Sequence, residues 1–172
     1  VARKATNNGF NVEWIHTLNP LDVNIALVAS LVQQFGISSE TTRKIYHQFT
    51  PESRHRQEIY TLSDTTVIDD TYNANPDSVH FAIHKALRDF PGRPLTVVIG
   101  DMKELGTKTR FEHRALINWV LRNPGVQRAI WYGPLFKEIE KTHKKCYYAL
   151  NEEQVLDFLH TRHQAPQVIL FK

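Results

Sequence analysis

Ten consecutive residues, Asp69-Asp70-Thr71-Tyr72-Asn73-Ala74-Asn75-Pro76-Asp77-Ser78, combine the side chains that hold small ligands. Carboxylates accept from hydroxyls, amides both donate and accept, and a phenol ring can stack on a base. The apolar pair Val67-Ile68 before them predicts the end of a strand. Behind them lies a well-specified helix start: Asn75 can cap, Pro76 suits the first helical position, and Asp77 and Ser78 favour the positive end of the helix dipole. A strand feeding a helix amino terminus is where α/β proteins hold phosphates and nucleotides, so the chemistry expected is the binding of a small anionic ligand. Asp70 could hold a ribose, Tyr72 a base, and Asn73 and Asn75 could give directed amide contacts. The same residue types also make turns and caps, and on the residues alone the two readings stand level.

A second loop, Gly100-Asp101-Met102-Lys103-Glu104-Leu105-Gly106, follows another apolar run. Its two glycines predict tight backbone near a ligand or a partner domain. It is not a phosphate-cradling P-loop, because Thr107 precedes Lys108, and no other segment fits that pattern. His80 and His84 are spaced as neighbours on one helix, and His160 and His163 on another, but neither pair has a third ligand. The expectation is solvent-facing histidines and no metal site. For His113 the residues alone predict packing or a cap contact. Cys146, the only cysteine, reads as core rather than nucleophile, as do Trp14, Trp119 and Trp131 rather than a stacking platform. No serine- or cysteine-based catalytic triad can be argued from the spacing.

The elements that would position these loops alternate. A short strand is predicted at Val12–Ile15, then a helix begun by Asn19-Pro20 with an apolar stripe from Leu21 to Phe35. A second helix follows at Ser39–Phe49, with Ile45, Tyr46 and Phe49 inward. Pro51–Arg56 reads as a linker. Beyond it, Glu58–Leu62 and Thr66–Ile68 flank Ser63-Asp64-Thr65 as a hairpin. Helix Pro76–Phe90, strand Leu95–Ile99, a helix through Leu121 with Thr109 and Glu112 as a capping box, and strand Ala129–Tyr132 come next. A helix from Pro134 to about Thr142, strand Cys146–Ala149, a helix capped by Asn151, and strand Val168–Phe171 complete the pattern. Such alternation implies an α/β domain of six strands, mostly parallel with one antiparallel edge, from about residue 57 onward.

The bulk properties exclude several classes. At 172 residues, 41% apolar and 23% charged, the chain matches a soluble globular protein. The net charge of +3 comes from scattered lysines and arginines, with no basic–aromatic interleaving, so no nucleic-acid partner is expected. No apolar stretch approaches a membrane span, and a single cysteine fits a reducing compartment. The start at Val1 and the end at Lys172 predict a fragment of a longer protein, and the first ~50 residues are too few for a domain of their own.

The two loops, in this order and spacing, resemble the Mur ligases. Tyr72-Asn73-Ala74-Asn75-Pro76 favours the branch that joins D-alanyl-D-alanine to UDP-N-acetylmuramoyl-tripeptide over sister Mur and folylpolyglutamate-type ligases. Asn19–Gly36 resembles the helix ending that family's central ATPase domain, and His55-Arg56-Gln57-Glu58 its basic linker. The resemblance implies residues 1–53 as the tail of the central ATP-binding domain. Residues 54–172 would be a Rossmann-like carboxy-terminal domain cut at its last strand. It implies ATP contacts by Asn24 (adenine), Arg56 (phosphates, with Arg54 as the alternative), Asp70 (ribose), Tyr72, Asn73 and Asn75. Asp101, Glu104 and His113 would belong to a substrate or domain-closure loop.

In this family ATP phosphorylates a substrate carboxylate, and an amine of the dipeptide then attacks the acyl phosphate. The P-loop, the Mg2+ ligands and a modified lysine would lie upstream, and a lysine-glycine-serine-arginine motif would begin at Lys172. The resemblance thus implies a cytoplasmic, bacterial and monomeric enzyme of peptidoglycan-precursor synthesis that uses ATP and Mg2+. Its partners would be small-molecule substrates, with no nucleic acid and no membrane. The isolated chain would carry no catalytic residue and no activity. A non-catalytic nucleotide-binding α/β module is the alternative.

Overall fold

The computed structural model describes residues 4–7, 10–13, 36–38, 40–41, 44–45, 55–139, 143–162 and 166–172. The backbone divides into two compact units, Val1–Glu52 and Ser53–Lys172. In the first, β1 (Lys4–Asn7) pairs antiparallel with β2 (Phe10–Glu13). β1 carries no apolar alternation and escaped the sequence reading, although the two residues between the strands are Asn-Gly, the strongest short hairpin signal. The expected strand over residues 12–15 begins earlier, at Phe10. The helix expected from Leu21, with Asn24, and the inward residues Tyr46 and Phe49 lie outside the described residues. Glu40, Thr41, Lys44 and Ile45 are helical. Ile45, expected inward, is 58% exposed because it shares the face of exposed Thr41, one helical turn before it.

The second unit is one sheet of six strands in the order β3-β4-β8-β5-β6-β7. β3 (Glu58–Leu62) and β4 (Thr65–Asp69) form the antiparallel edge, closed by Ser63-Asp64 with Ser63 at φ 52. Thr65, expected in the turn, is therefore the first, buried residue of β4. β5 (Leu95–Gly100), β6 (Val126–Tyr132), β7 (Cys146–Ala149) and β8 (Gln167–Phe171) run parallel to β4. The six-stranded, mostly parallel α/β architecture expected from the alternation is the one observed.

Each central strand feeds two cores, as the period of two along a strand requires. Val97, Ile99, Ala129, Trp131, Val168 and Leu170 pack with α1 (Pro76–Asp89), α2 (Thr109–Arg122) and α3 (Pro134–Glu138). Val98, Ile130 and Ile169, on the other face, pack with Val155 of α4 (Glu152–Thr161). α1 buries Val79, Ala82, Ile83 and Ala86, with Leu87 and Phe90 packed at the margin. Trp131 is fully buried and donates its indole N–H to Cys146 Sγ at 3.2 Å, so both serve the core.

Two expectations fail here for local reasons. Thr109 does not open a capping box with Glu112. A 3-10 turn (Gly106–Lys108) winds directly into α2, so Thr109 is already helical and its hydroxyl donates back to Gly106 O at 2.7 Å. His80 does not simply face solvent, because its ring packs tilted against Trp119 across the α1–α2 contact with centroids 4.2 Å apart; His84 is exposed, as expected, and meets the edge of the same indole.

Burial holds His80 below its usual pKa, and His84 adds to this, against the pull of Asp77 and Glu112. The unfolded chain then binds this proton more readily than the folded one, so stability is complete above about pH 6.5 and falls as pH drops below it. Urea midpoints measured between pH 7.5 and 5 should decline, and the decline should shrink in His80→Phe, which keeps a ring on Trp119. An equal decline in both proteins would remove His80 as the cause.

Candidate functional site

The carboxyl ends of β4, β8, β5 and β6 lie along one edge of the sheet, and both loops singled out in the sequence emerge there. They wall two adjoining cavities. The smaller, about 220 Å³, is lined by Arg56, Asp70, Tyr72, Asn73, Asn75, Ser78 and Lys172. All of the sequence-predicted nucleotide residues that are described, Arg56, Asp70, Tyr72, Asn73 and Asn75, meet in it. The larger, about 620 Å³, shares Tyr72, Asn73 and Lys172, and continues past Asp101, Lys103, Tyr132 and Glu152 over an apolar floor of Val98, Val155 and Phe171.

The linker is fastened to this edge. Tyr72 N–H donates to His55 O at 3.0 Å, and the Arg56 guanidinium lies 3.9 Å from the centroid of the Tyr72 ring. His55 Nδ1 sits 2.6 Å from Asp69 Oδ2, while Asp69 Oδ1 accepts from the Thr71 amide and hydroxyl. Burial works against the Asp69 charge, but the hydrogen bonds from His55 and Thr71 outweigh it and hold this carboxyl below its usual range. Asp69 thus serves the turn. Among the described residues, His55, Glu58 and Asp69 are the trio spaced to hold a metal ion. Their ligand atoms already exchange hydrogen bonds, His55 with Asp69 and Glu58 with the Tyr60 hydroxyl.

Asp70 differs. It is 7% exposed, and its carboxylate meets Lys172 Nζ at 2.8 Å, while its amide donates to Phe171 O. An ionised carboxylate accepts up to about four hydrogen bonds, so one ammonium leaves Asp70 room for a hydroxyl. Asn75 is the N-cap of α1: its Oδ1 accepts from Ser78 N–H, and Ser78 Oγ accepts from Asn75 N–H. Asn73 Oδ1 accepts from Ala74 N–H at 2.8 Å. The turn reading and the ligand reading thus divide within each amide, the oxygens serving the fold and the NH2 groups remaining as donors.

The same cap removes the helix amino terminus as a phosphate cradle. Pro76 has no N–H, the Ser78 N–H is taken by Asn75, and Asp77 brings a negative charge to the first turn. The donors of the small cavity are side chains.

The second loop is held from behind. Asp101 accepts from Leu135 N–H at 2.9 Å and Phe136 N–H at 3.0 Å, capping α3 from across the strand ends. Gly133 makes this possible: its φ is 121, and a Cβ there would overlap the Asp101 carboxylate. His113 is fully buried, its Nε2 accepting from Met102 N–H at 3.1 Å and its Nδ1 donating to Thr109 O at 2.7 Å. That fixes the neutral tautomer and places His113 beneath the loop, outside the cleft. Glu104 is exposed, with φ 61, at the loop's tip.

The sequence reading missed Lys172, Tyr132 and Glu152. Tyr132 O–H donates to Glu152 Oε1 at 2.9 Å across the mouth of the larger cavity. This bond to Glu152 raises the Tyr132 pKa. That of Glu152 falls, through its own backbone amide first and Tyr132 second. Tyr132-Gly133-Pro134 was a legible third strand-to-helix switch. The Asp101→Ala variant leaves two amides without their acceptor, and should lower unfolding free energy by about 1–3 kcal/mol in urea titrations. A loss below about 0.5 kcal/mol would show the cap to be dispensable.

Residues 55–172 match the sequence profile of the Mur ligase, glutamate ligase domain. The UDP-N-acetylmuramoyl-tripeptide–D-alanyl-D-alanine ligase of Mycobacterium bovis is 36% identical over 96 residues, covering 52% of this chain and 19% of that protein. Its counterpart in Buchnera aphidicola (subsp. Baizongia pistaciae) is 36% identical over 107 residues, covering 62% of this chain and 23% of its own. The chain thus spans about a fifth of the length of these curated relatives. Among solved structures, MurF from Acinetobacter baumannii superposes with a TM-score of 0.70 at 24% identity, over 87% of this chain and 33% of that one. MurF from Thermotoga maritima in complex with ADP gives 0.64 at 25% identity, over 95% and 37%. With all six strands of its larger sheet inside the matched region, the chain belongs to the Mur ligase family.

Proposed function

We propose that this chain is the carboxy-terminal part of an ATP-dependent amide-bond ligase. The enzyme adds D-alanyl-D-alanine to UDP-N-acetylmuramoyl-tripeptide in peptidoglycan-precursor synthesis. Residues 1–53 would end its central ATP-binding domain, and residues 54–172 form its carboxy-terminal domain. One observation carries the reading: Arg56, Asp70, Tyr72, Asn73 and Asn75 converge on a single cavity beside the buried Asp70–Lys172 pair.

In this reading Asp70, paired with Lys172 at 2.8 Å, accepts a ribose hydroxyl. Asn73 and Asn75 donate their NH2 groups to acceptors on the base or sugar. The Arg56 guanidinium sits over the Tyr72 ring, where its N–H groups would serve a phosphate oxygen. Asn24 would reach the adenine. The adjoining cavity receives the amine-bearing dipeptide, with the loop bearing Asp101, Glu104 and His113 as its wall. ATP supplies the phosphoryl group that activates the carboxylate. Mg2+ and the groups that stabilise the transferring phosphoryl belong to preceding residues, because the donors here suit the sugar end of a nucleotide. The full enzyme acts in the bacterial cytoplasm as a monomer, and this chain alone turns nothing over.

Calorimetry with ADP should register binding to this chain that weakens about tenfold in Asp70→Asn, which exchanges a charged acceptor for a neutral one. Tyr72→Ala and Arg56→Gln, both at exposed positions, should weaken it as well. Affinity unchanged in all three variants would refute the nucleotide assignment. The chain extended by its native upstream sequence should release phosphate only with ATP, UDP-muramoyl-tripeptide and D-Ala-D-Ala together. Turnover with a folate or a single amino acid instead would assign a sister ligase.

A further inference from the structure

The opposite edge of the sheet holds a further cavity. Three consecutive turns enter the amino ends of β5, β6 and β7, adjacent strands, and between them lies a groove of about 620 Å³. Arg93 comes from the first turn, Arg128 from the start of β6, and Lys144 and Lys145 from the third. Among the described residues no carboxylate lines the groove, and none of the four cations is within ion-pair distance of one.

Three of the four are held by neutral acceptors. Arg93 donates to Thr66 Oγ1, Asp64 O and Gln167 O; Arg128 to Arg162 O; Lys145 to Asn123 O. Asn123 and Arg162 are the C-caps of α2 and α4, so these contacts also answer the negative ends of two helix dipoles. Magnitudes decide whether that exhausts the charge. α1 also ends at this edge, at Phe90. Each helix end carries about half a negative charge, so three ends offset about 1.5 of four positive charges and leave about +2.5. Carbonyls fix the cations without neutralising them, so little side-chain freedom remains to be lost when an anion arrives.

We propose that this groove binds a diphosphate group, free or esterified, at a site separate from the nucleotide cleft. The residual charge exceeds that of a single carboxylate, and its spread over three turns suits the two linked anionic centres of a diphosphate better than the one centre of a sulfate. Among the described residues no aromatic side chain lines the groove, so they offer no base-stacking platform for a nucleic acid strand.

The test is a titration of the 15N-labelled full chain with inorganic pyrophosphate, at constant ionic strength and without divalent metal, followed by amide chemical shifts. Saturable shifts should centre on Gly92, Gly125, Lys144 and Lys145, and sodium sulfate at equal ionic strength should not reproduce them. Lys144→Glu reverses one charge at an exposed side chain that makes no hydrogen bond or ion pair among the described residues, and should weaken binding at least about tenfold. Arg128→Gln should act in the same direction, and Lys144→Glu still decides the matter if that variant is unstable. A short alkyl diphosphate as a second probe separates the two forms: tighter binding than pyrophosphate identifies an ester, weaker binding the free anion. Equal shifts with sulfate, no loss in Lys144→Glu, or shifts confined to residues 72–75 would each overturn the site. The nucleotide assignment would stand regardless, since it is read on ADP and on residues at the other edge.

Discussion

The sheet hangs on β8. It is the last strand in the chain, yet it lies between β4 and β5, so the β3–β4 hairpin and the β5–β6–β7 half join into one sheet only through its hydrogen bonds. Its side chains divide between the two cores, Val168 and Leu170 into one and Ile169 into the other. Its exit sets the site. Phe171 O accepts from the Asp70 amide, Lys172 N–H donates to Val98 O, and Gly100 N–H donates to Lys172 O. The two loops that wall the cleft come from strands that never touch each other, and their spacing is set by the residues between them.

Elements with strong local signals were legible. Asn75-Pro76 gave α1 its start, Asn151 capped α4, and the apolar runs gave β5, β7 and β8 within a residue or two. What remained hidden is non-local. Nothing at Val168–Phe171 announces a central rather than an edge position, since any strand buried on both faces reads as a continuous apolar run. The partner of Asp70 stands about a hundred residues away in sequence, so no periodicity could pair it with Lys172. Thr109 and Glu112 satisfy the capping-box pattern, yet the preceding 3-10 turn supplies the same hydrogen-bonding need first. His113 had two readings by residue type, and the one realised depends on the Met102 amide arriving above it.

Charge is sorted along the strands although the sequence shows it scattered. The carboxyl edge gathers Asp69, Asp70, Asp77, Asp101 and Glu152, most of them in turns or first helical turns. The amino edge gathers arginines and lysines around helix carboxyl ends. One rule underlies both: a parallel α/β sheet aligns its helix dipoles, so favourable charges accumulate with opposite sign at opposite edges. At the carboxyl edge the acids leave little room for phosphate at the helix start, and the donors of the small cavity are side chains, Arg56, Lys172 and the amides of Asn73 and Asn75 among them.

The Asp101 cap gives the cleft two unlike walls. Asp101 is bonded to the first turn of α3, and Met102 is bonded to a histidine locked inside α2, so the β5 loop is the end of a braced frame. The facing wall is Tyr72, 60% exposed and held by a guanidinium contact worth about 0.5–1 kcal/mol. Any adjustment to a ligand's shape therefore falls on the Tyr72–Arg56 side, while the Asp101 side acts as the anvil. Arg56 is also where the chain enters the sheet, so a ligand that displaces Tyr72 acts directly on the residues leading into β3.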